Sequence, residues 1–314
     1  MTEAFPQLLA LTLFGACVGS FFNVVIWRVP RGKSVVWPGS RCPGCDAAIP
    51  GWRNLPVLTW VFQRGKAACC GIPIAPRYVL VEAFTALVSL GWGLLWEAGV
   101  WGHDLKAGLG WYALALLSIP VSLIDWEFFI IPDGLNLTGF VMGLGVAAGF
   151  GGMTGFVVSL RDALLCAGGL YLLSWTFRWG LWKLGMFAGA ALARGWVRKG
   201  FGWSGVASYR SVLATFRRWS GFDENTEALG LGDVNLMVAA GALIGPAAVA
   251  VGIPLAACLG IVGYAVRAAF PRNAQQAQAA GVDAHAVPFG PFLCAGMLLA
   301  QPLTPRLLEH LFPG

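Results

Sequence analysis

Long apolar runs separated by short polar intervals set the pattern of this chain. A helix that crosses a bilayer needs about 20 mostly apolar residues. Eight stretches approach that length: 7–27, 78–97, 109–131, 134–150, 159–181, 232–250, 251–268 and 287–305. The third is interrupted by Asp125 and Glu127, and only a short stretch holding Pro246 and Pro254 separates the sixth from the seventh. The pattern predicts an all-α polytopic membrane protein with about eight transmembrane helices. It divides into a first helix at 1–27, a small cysteine-containing loop domain at 28–77, and a helical domain at 78–314 that carries a basic insertion at 182–231.

Composition agrees. Of the 314 residues, 57% are hydrophobic and 11% charged, against about 25% charged in an ordinary soluble domain. Disorder and collagen-like structure are excluded by the high hydrophobicity and by the lack of a three-residue glycine period. The 43 Gly and 15 Trp suit closely packed membrane helices with aromatic anchors at the interface.

Charge placement gives an orientation. The first stretch has Glu3 and no Lys or Arg through Thr12, whereas Arg28, Arg31 and Lys33 follow it. It therefore reads as an uncleaved helix with its amino end outside rather than as a signal peptide. Alternation from that start puts 28–77, 182–231 and 269–286 in the cytoplasm. All of the 21 Lys and Arg except Lys106, Arg161 and Arg306 then lie on or beside that face. The net charge of +6 follows from topology and requires no nucleic acid. Trp196, Trp203 and Trp219, interleaved with basic residues, read as an interfacial segment on anionic headgroups, so the partner of this region is the lipid bilayer.

Two groups of residues carry candidate chemistry. Cys42-Pro43-Gly44-Cys45 and the adjacent pair Cys69-Cys70 lie in the first loop, whereas Cys17, Cys166, Cys258 and Cys294 fall in predicted helices as small packing residues. On a reducing face the CxxC reads as half a zinc knuckle, and zinc would fasten a segment too small to fold by burial alone. An adjacent second pair is unusual, because neighbouring ligands to one metal imply backbone strain. A loop packed without metal is the alternative.

The second group is acidic. A carboxylate inside a spanning segment costs a few kcal/mol and is a functional candidate by default. Asp125 falls near the cytoplasmic end of the third stretch and Asp233 near the cytoplasmic start of the sixth, at similar depth. Two carboxylates facing one another share a proton, so that one activates water and the other polarises a carbonyl, which is aspartyl protease chemistry. Gly230 and Gly232 leave room for substrate backbone beside Asp233. Of the other acids, Asp162 pairs locally with Arg161, Asp133 reads as a helix N-cap, and Glu82 pairs with Arg77 or orients the loop. Glu127 and Asp223-Glu224-Glu227 could draw a basic substrate segment.

The chain resembles the type IV prepilin leader peptidases, intramembrane aspartyl proteases of the Gly-x-Gly-Asp group. The resemblance rests on six blocks in order. They are Gly19 to Pro30; Cys42-Pro43-Gly44-Cys45; Asn54 to Trp60 with Arg64-Gly65-Lys66 and Arg77 to Glu82; Leu123-Ile124-Asp125 with Ile131-Pro132-Asp133; Gly230-Leu231-Gly232-Asp233-Val234-Asn235-Leu236; and Val287 to Phe292. It implies that Asp125 and Asp233 are the catalytic pair and that proteolysis needs no cofactor. The implied substrate is the basic leader of a prepilin or pseudopilin, cut at the cytoplasmic face of the bacterial inner membrane. It also implies methylation of the new amino terminus with S-adenosylmethionine, with Gly65 and Lys66 as the cofactor-binding element. Three features depart from the family pattern. Ala67 stands at the third cysteine position, so that Cys42, Cys45 and Cys70 are in register for zinc and Cys69, out of register, is the candidate left for the fourth ligand; Asn235 replaces a usual Lys; and the 182–231 segment is long. The competing class is a proton- or ion-coupled transporter using the same two aspartates, which would need a path through both leaflets and an inverted repeat.

Overall fold

The computed structural model describes residues 4–198, 231–270 and 287–311. The helices are α1 (Phe5–Arg28), α2 (Leu58–Phe62), α3 (Arg77–Glu97), α4 (Leu105–Phe128), α5 (Asp133–Arg198), α6 (Leu231–Ile244), α7 (Pro246–Ala269) and α8 (Gly290–Leu311). Among the described residues there is no strand, only the isolated bridges Arg41 to Ala48 and Lys66 to Pro73. The helical architecture is the one the apolar runs predict. Among the described residues five stretches, Phe5–Arg31, α3, α4, Asp133–Leu172 and α7, are long and apolar enough to cross a membrane, against the eight expected: two runs merge in α5, α6 is shorter than a span, and α8 is not among the five.

The chain forms two compact units, Met1–Cys166 with Asn235–Gly314, and Ala167–Val234. In the first, α1 lies against α3. Lipid tails are as apolar as leucine, so helices in a bilayer associate through close packing and internal polar contacts rather than by expelling water. Gly15 and Gly19 on α1 supply that closeness: a Cβ on Gly15 would lie 2.2 Å from Ser89 Oγ, and one on Gly19 would lie 2.7 Å from the Glu82 Cα. The seam continues into a core of Phe22, Ile26, Val81, Trp92, Tyr112, Leu116, Ile119 and Ile124 from α1, α3 and α4. Its polar atoms are paired internally: Ser89 Oγ with the Tyr112 hydroxyl at 2.7 Å, and Trp92 Nε1 donating to the Gly108 carbonyl at 2.8 Å. Trp111 Nε1 donates to the Leu298 carbonyl at 2.9 Å and fastens α4 to α8. Large apolar side chains such as Leu13, Phe14 and Phe21 point outward, as in a helix solvated by lipid.

The predicted spans 134–150 and 159–181 are both within α5, which breaks at Gly152 (φ 59°, ψ −146°). Just beyond, a Cβ on Gly155 would meet the Ala147 carbonyl oxygen at 2.2 Å, so the chain turns back on itself there. The sixth and seventh runs divide at Gly245 (φ 80°) rather than at 250, with Pro246 opening α7 and Pro254 inside it. A proline in the first turn forfeits only an N–H that has no helical partner. Residues 182–198, expected in a loop, continue α5. Residues 199–230, which include Gly230, Trp203, Trp219 and Asp223-Glu224-Glu227, lie outside the described residues. The second unit comprises, among the described residues, the end of α5 from Ala167 and the first turn of α6.

Candidate active site

Asp125 lies in the last turn of α4 and is 5% exposed, although it is a carboxylate in an apolar helix. The helix ends one turn later at Phe129, whose φ of 57° lets its N–H return to the Asp125 carbonyl at 2.9 Å. The carboxylate is held from the opposite side. The N–H of Gly290, the first residue of α8, donates to Asp125 Oδ2 at 2.9 Å. A helix N-terminus presents unpaired N–H groups and a positive dipole end, which suits an acidic oxygen. A Cβ at position 290 would lie 2.6 Å from Oδ2 and 3.1 Å from Ile131 Cδ1, so any side chain here would force the Asp125 carboxylate or the start of α8 to shift. The motif Val287 to Phe292 had been recognised as a block without a role for Gly290. Its clue was a glycine followed by proline at a helix start, but a partner 165 residues away cannot be read from spacing.

Asp233 lies in the first turn of α6 and is partly buried, as is Gly232 before it. Two residues further on, Asn235 Nδ2 donates to Asp133 Oδ1 at 2.9 Å. Asp133 is the first residue of α5, and its side chain holds α6 through this bond rather than acting as the expected N-cap. Arg77 pairs with Glu127, not with Glu82, because α3 begins where α4 ends. Asp162 pairs with Arg161 at 2.7 Å as anticipated.

The loop between α1 and α3 brings Cys42, Cys45, Cys69 and Cys70 together, with all four sulfurs within 4.8 Å of one another. Two similar turns do this. Cys42 N–H donates to the Ala47 carbonyl and Asp46 N–H to the Cys42 carbonyl; 25 residues later, Ala67 N–H donates to the Ile72 carbonyl and Gly71 N–H to that of Ala67. The left-handed residue that closes each turn is Asp46 (φ 54°) in one and Gly71 (φ 73°) in the other. Ala67 therefore corresponds to Cys42 and Cys70 to Cys45, and Cys69 supplies the fourth sulfur from a position where the first turn has Gly44. Neither Cys69 nor Cys70 has a positive φ, so the adjacent pair sits in the turn without left-handed backbone at either cysteine. The Cys42 to Cys70, Cys45 to Cys69 and Cys69 to Cys70 sulfur separations are 3.5, 3.3 and 3.9 Å. Tetrahedral thiolates around zinc stand about 3.8 Å apart, so the donor set fits that ion.

Titration of the cluster follows from its crowding. The backbone N–H groups of Gly44 and Cys45 favour the Cys42 thiolate and bring its pKa down to about 6, whereas hydrogen bonds with the Cys45 and Cys42 sulfurs push the Cys69 thiol up to about 12. Four sulfurs this close cannot all ionise without a cation among them.

Gly65 and Lys66 are in the turn that follows α2. Gly65 has φ 69°, and a Cβ there would meet the Trp60 ring at 3.1 Å; Lys66 begins the second cysteine turn. Glu82 on α3 reaches the same segment, accepting from the Val57 N–H at 2.7 Å.

Comparison with known proteins extends this geometry. Residues 13–96 match the Bacterial Peptidase A24 N-terminal domain, and residues 112–265 match the Type IV leader peptidase family. A prepilin leader peptidase/N-methyltransferase of Klebsiella pneumoniae is 34% identical over 242 residues, which cover 75% of this chain and 84% of that protein. The proteins of the same name from Myxococcus xanthus (strain DK1622) and Pectobacterium carotovorum subsp. carotovorum are 39% and 35% identical. Those matches cover 52% and 54% of this chain, and 46% and 64% of the relatives. The chain thus spans about half the length of the first and under two thirds of the second. No solved structure matches the chain.

Proposed function

The chain belongs to the type IV leader peptidase family, and from that premise we propose that it removes the basic leader of prepilins or pseudopilins and then methylates the new amino terminus. The active site faces the cytoplasm across the inner membrane, as the distribution of Lys and Arg favours. The observation that carries the proteolytic reading is Asp125: a carboxylate kept out of solvent in a spanning helix, with a second helix aimed at it through the Gly290 N–H.

Asp125 and Asp233 form the catalytic pair. They share one proton; the ionised member takes a proton from water as its oxygen attacks the scissile carbonyl, and the protonated member donates to that carbonyl oxygen. Collapse of the tetrahedral intermediate breaks the C–N bond, with the proton passing to the leaving amine. Gly230 and Gly232 leave space for the substrate backbone, and no metal takes part in this step. The transporter alternative has no support among the relatives.

Methylation takes its methyl group from S-adenosylmethionine, which supplies an electrophilic carbon to the freed amine. The 28–77 loop, with Gly65 and Lys66, carries this activity. Cys42, Cys45, Cys69 and Cys70 would hold a zinc ion, whose role there would be structural, fastening the two turns.

Mass spectrometry of a prepilin's amino terminus after exposure to the enzyme reads the cut and the methyl group together. Asp125→Asn and Asp233→Asn should each leave the leader attached in a protein that still inserts and folds. Cleavage surviving either change would refute the pair.

A further inference from the structure

Asp233 is carried in the first turn of α6, a helix whose other residues, Asn235 apart, are all apolar or glycine. The direction of its carboxylate therefore depends on how α6 is rotated about its own axis. We propose that Asp133 and Asn235 are positioning residues for proteolysis, and that the hydrogen bond between them fixes that rotation. The inference rests on the reading of Asp125 and Asp233 as the catalytic pair.

Apolar packing sets the distance of α6 from its neighbours. A Cβ on Gly139 of α5 would lie 3.2 Å from Ala239 Cβ, and one on Gly143 would lie 2.7 Å from the Ala242 carbonyl carbon. A Cβ on Gly110 of α4 would meet the Leu243 carbonyl oxygen at 2.1 Å. Glycine and alanine seams of this kind bring helix backbones close. Each contact in them is weak and has no preferred direction, so the seam resists separation more than rotation. These close approaches also begin only at Ala239, beyond the turn that carries Asp233. A directional contact nearer that turn is supplied by Asn235, whose Nδ2 donates to Asp133 Oδ1 at 2.9 Å. The donor is a neutral amide, so it orients α6 without setting a cation two residues from Asp233.

Asp133 is in turn held close to Asp125. Four residues, Phe129 to Pro132, join α4 to α5, and both ends of this connection are closed. The Phe129 N–H returns to the Asp125 carbonyl at 2.9 Å, and the Leu135 and Asn136 N–H groups return to the Pro132 carbonyl at 3.1 and 3.3 Å. Between them, Ile131 Cδ1 lies 3.1 Å from the place of a Cβ on Gly290, the residue whose N–H holds the Asp125 carboxylate. The bond from Asn235 thus refers the first turn of α6 to the same short connection that ends the helix of Asp125. Because the bond is exposed, water competes for both partners and its net contribution to stability is small. Its loss should appear in the geometry of the reaction rather than in folding.

The test is single-turnover cleavage of a prepilin by the full-length protein, with prepilin affinity and thermal unfolding measured alongside. Asp133→Ala and Asn235→Leu should each slow the chemical step about tenfold, since misplacing a reacting group by a fraction of 1 Å is enough for that. Prepilin Kd should stay within about twofold and the unfolding midpoint within about 3 °C. Both changes remove the same bond, so the double variant should be no slower than the slower single one. Asp133→Asn keeps an acceptor oxygen for Asn235 and should recover the rate to within about threefold of the unaltered protein. Full rate in Asp133→Ala or Asn235→Leu, losses that multiply in the double variant, or no recovery in Asp133→Asn overturns the proposal. So does a loss of rate that comes only with a lowered unfolding midpoint, which marks a purely structural contact. If Asp125→Asn or Asp233→Asn still cleaves, the catalytic pair itself is wrong; if those two are inactive while the Asp133 and Asn235 variants keep full rate, only the positioning role fails.

Discussion

The bundle around Asp125 and the loop around the cysteines are built on opposite principles. In the bundle, position is set by many contacts: the Gly15 and Gly19 seam, a core shared by α1, α3 and α4, and tryptophan N–H groups that tie α4 into its neighbours. In the loop, of the four cysteines only Cys42 is buried, and position is set by a few points: two short turns, four sulfurs and the Glu82 bond to Val57. A site in the first region tolerates little change in shape but gains rigidity from its surroundings. A site in the second depends on individual atoms. Changes to the bundle should therefore act on cleavage, and changes to the loop on methylation and metal content.

The largest effect expected is the loss of cleavage in Asp125→Asn or Asp233→Asn, by about 10³-fold or more, since both partners are needed for proton transfer. Gly290→Ala should come next. The added methyl would displace either Asp125 Oδ2 or the start of α8, and misplacing a reacting group by about 1 Å can cost 10²-fold. Single-turnover assays should show the chemical step slowed by roughly that factor while substrate affinity changes little. Equal losses in affinity and rate would mean that Gly290 shapes the substrate site instead.

The loop should respond through its metal. Zinc content, about one ion per chain at full occupancy, should fall in Cys42→Ser and Cys69→Ala, and the loop should become sensitive to protease in both. Because Ala67 corresponds to Cys42 in the repeated turn, Ala67→Cys should restore zinc to the Cys69→Ala protein. Failure of that rescue would show that the two turns are not equivalent as metal knuckles. The pH dependence has a definite sign. The pKa of the Cys42 thiol is lowered to about 6 from 9.0, so its thiolate is available above that value and protonates as pH falls through it. Zinc uptake by metal-stripped protein should weaken steadily as pH falls, because the Cys69 thiol, pushed up to about 12, must lose its proton to bind, and should fall further once Cys42 protonates below about 6.

The same contrast explains what was legible in the sequence. The helices were visible because bilayer solvation imposes a long apolar run on each, and the gap between the runs 134–150 and 159–181 brackets the break at Gly152; Asp125 stood out as a carboxylate in an apolar run, but its burial did not. The partners of Asp125 and Asp133 were not visible, because Gly290 and Asn235 reach them across 165 and 102 residues. In the loop, the CxxC and the candidate set of four cysteines were legible, whereas the way Cys69 joins them was not: register set it apart, and the folded turn brings its sulfur to within 3.3 Å of Cys45. Glu82 was open to two readings, a partner for Arg77 or a residue that orients the loop, and its bond from the Val57 N–H is of the second kind, while helix crossing sends Arg77 to Glu127 on α4.

That ion pair joins the two regions directly, since Arg77 is the first residue after the loop and Glu127 follows Asp125 by two positions. It is also where the smallest effect is expected. The side chains are 36% and 37% exposed, so solvent and salt screen them, and exposed pairs contribute about 0.2–1 kcal/mol. A double-mutant cycle with Arg77→Gln and Glu127→Gln should give a coupling energy in that range that shrinks as salt rises. Cleavage should change by less than about fivefold, the factor that 1 kcal/mol corresponds to. A larger coupling that persists in high salt would mean that the loop and the aspartate bundle are mechanically linked through this pair, and that methylation and cleavage cannot be separated by mutation as the contrast between the two regions requires.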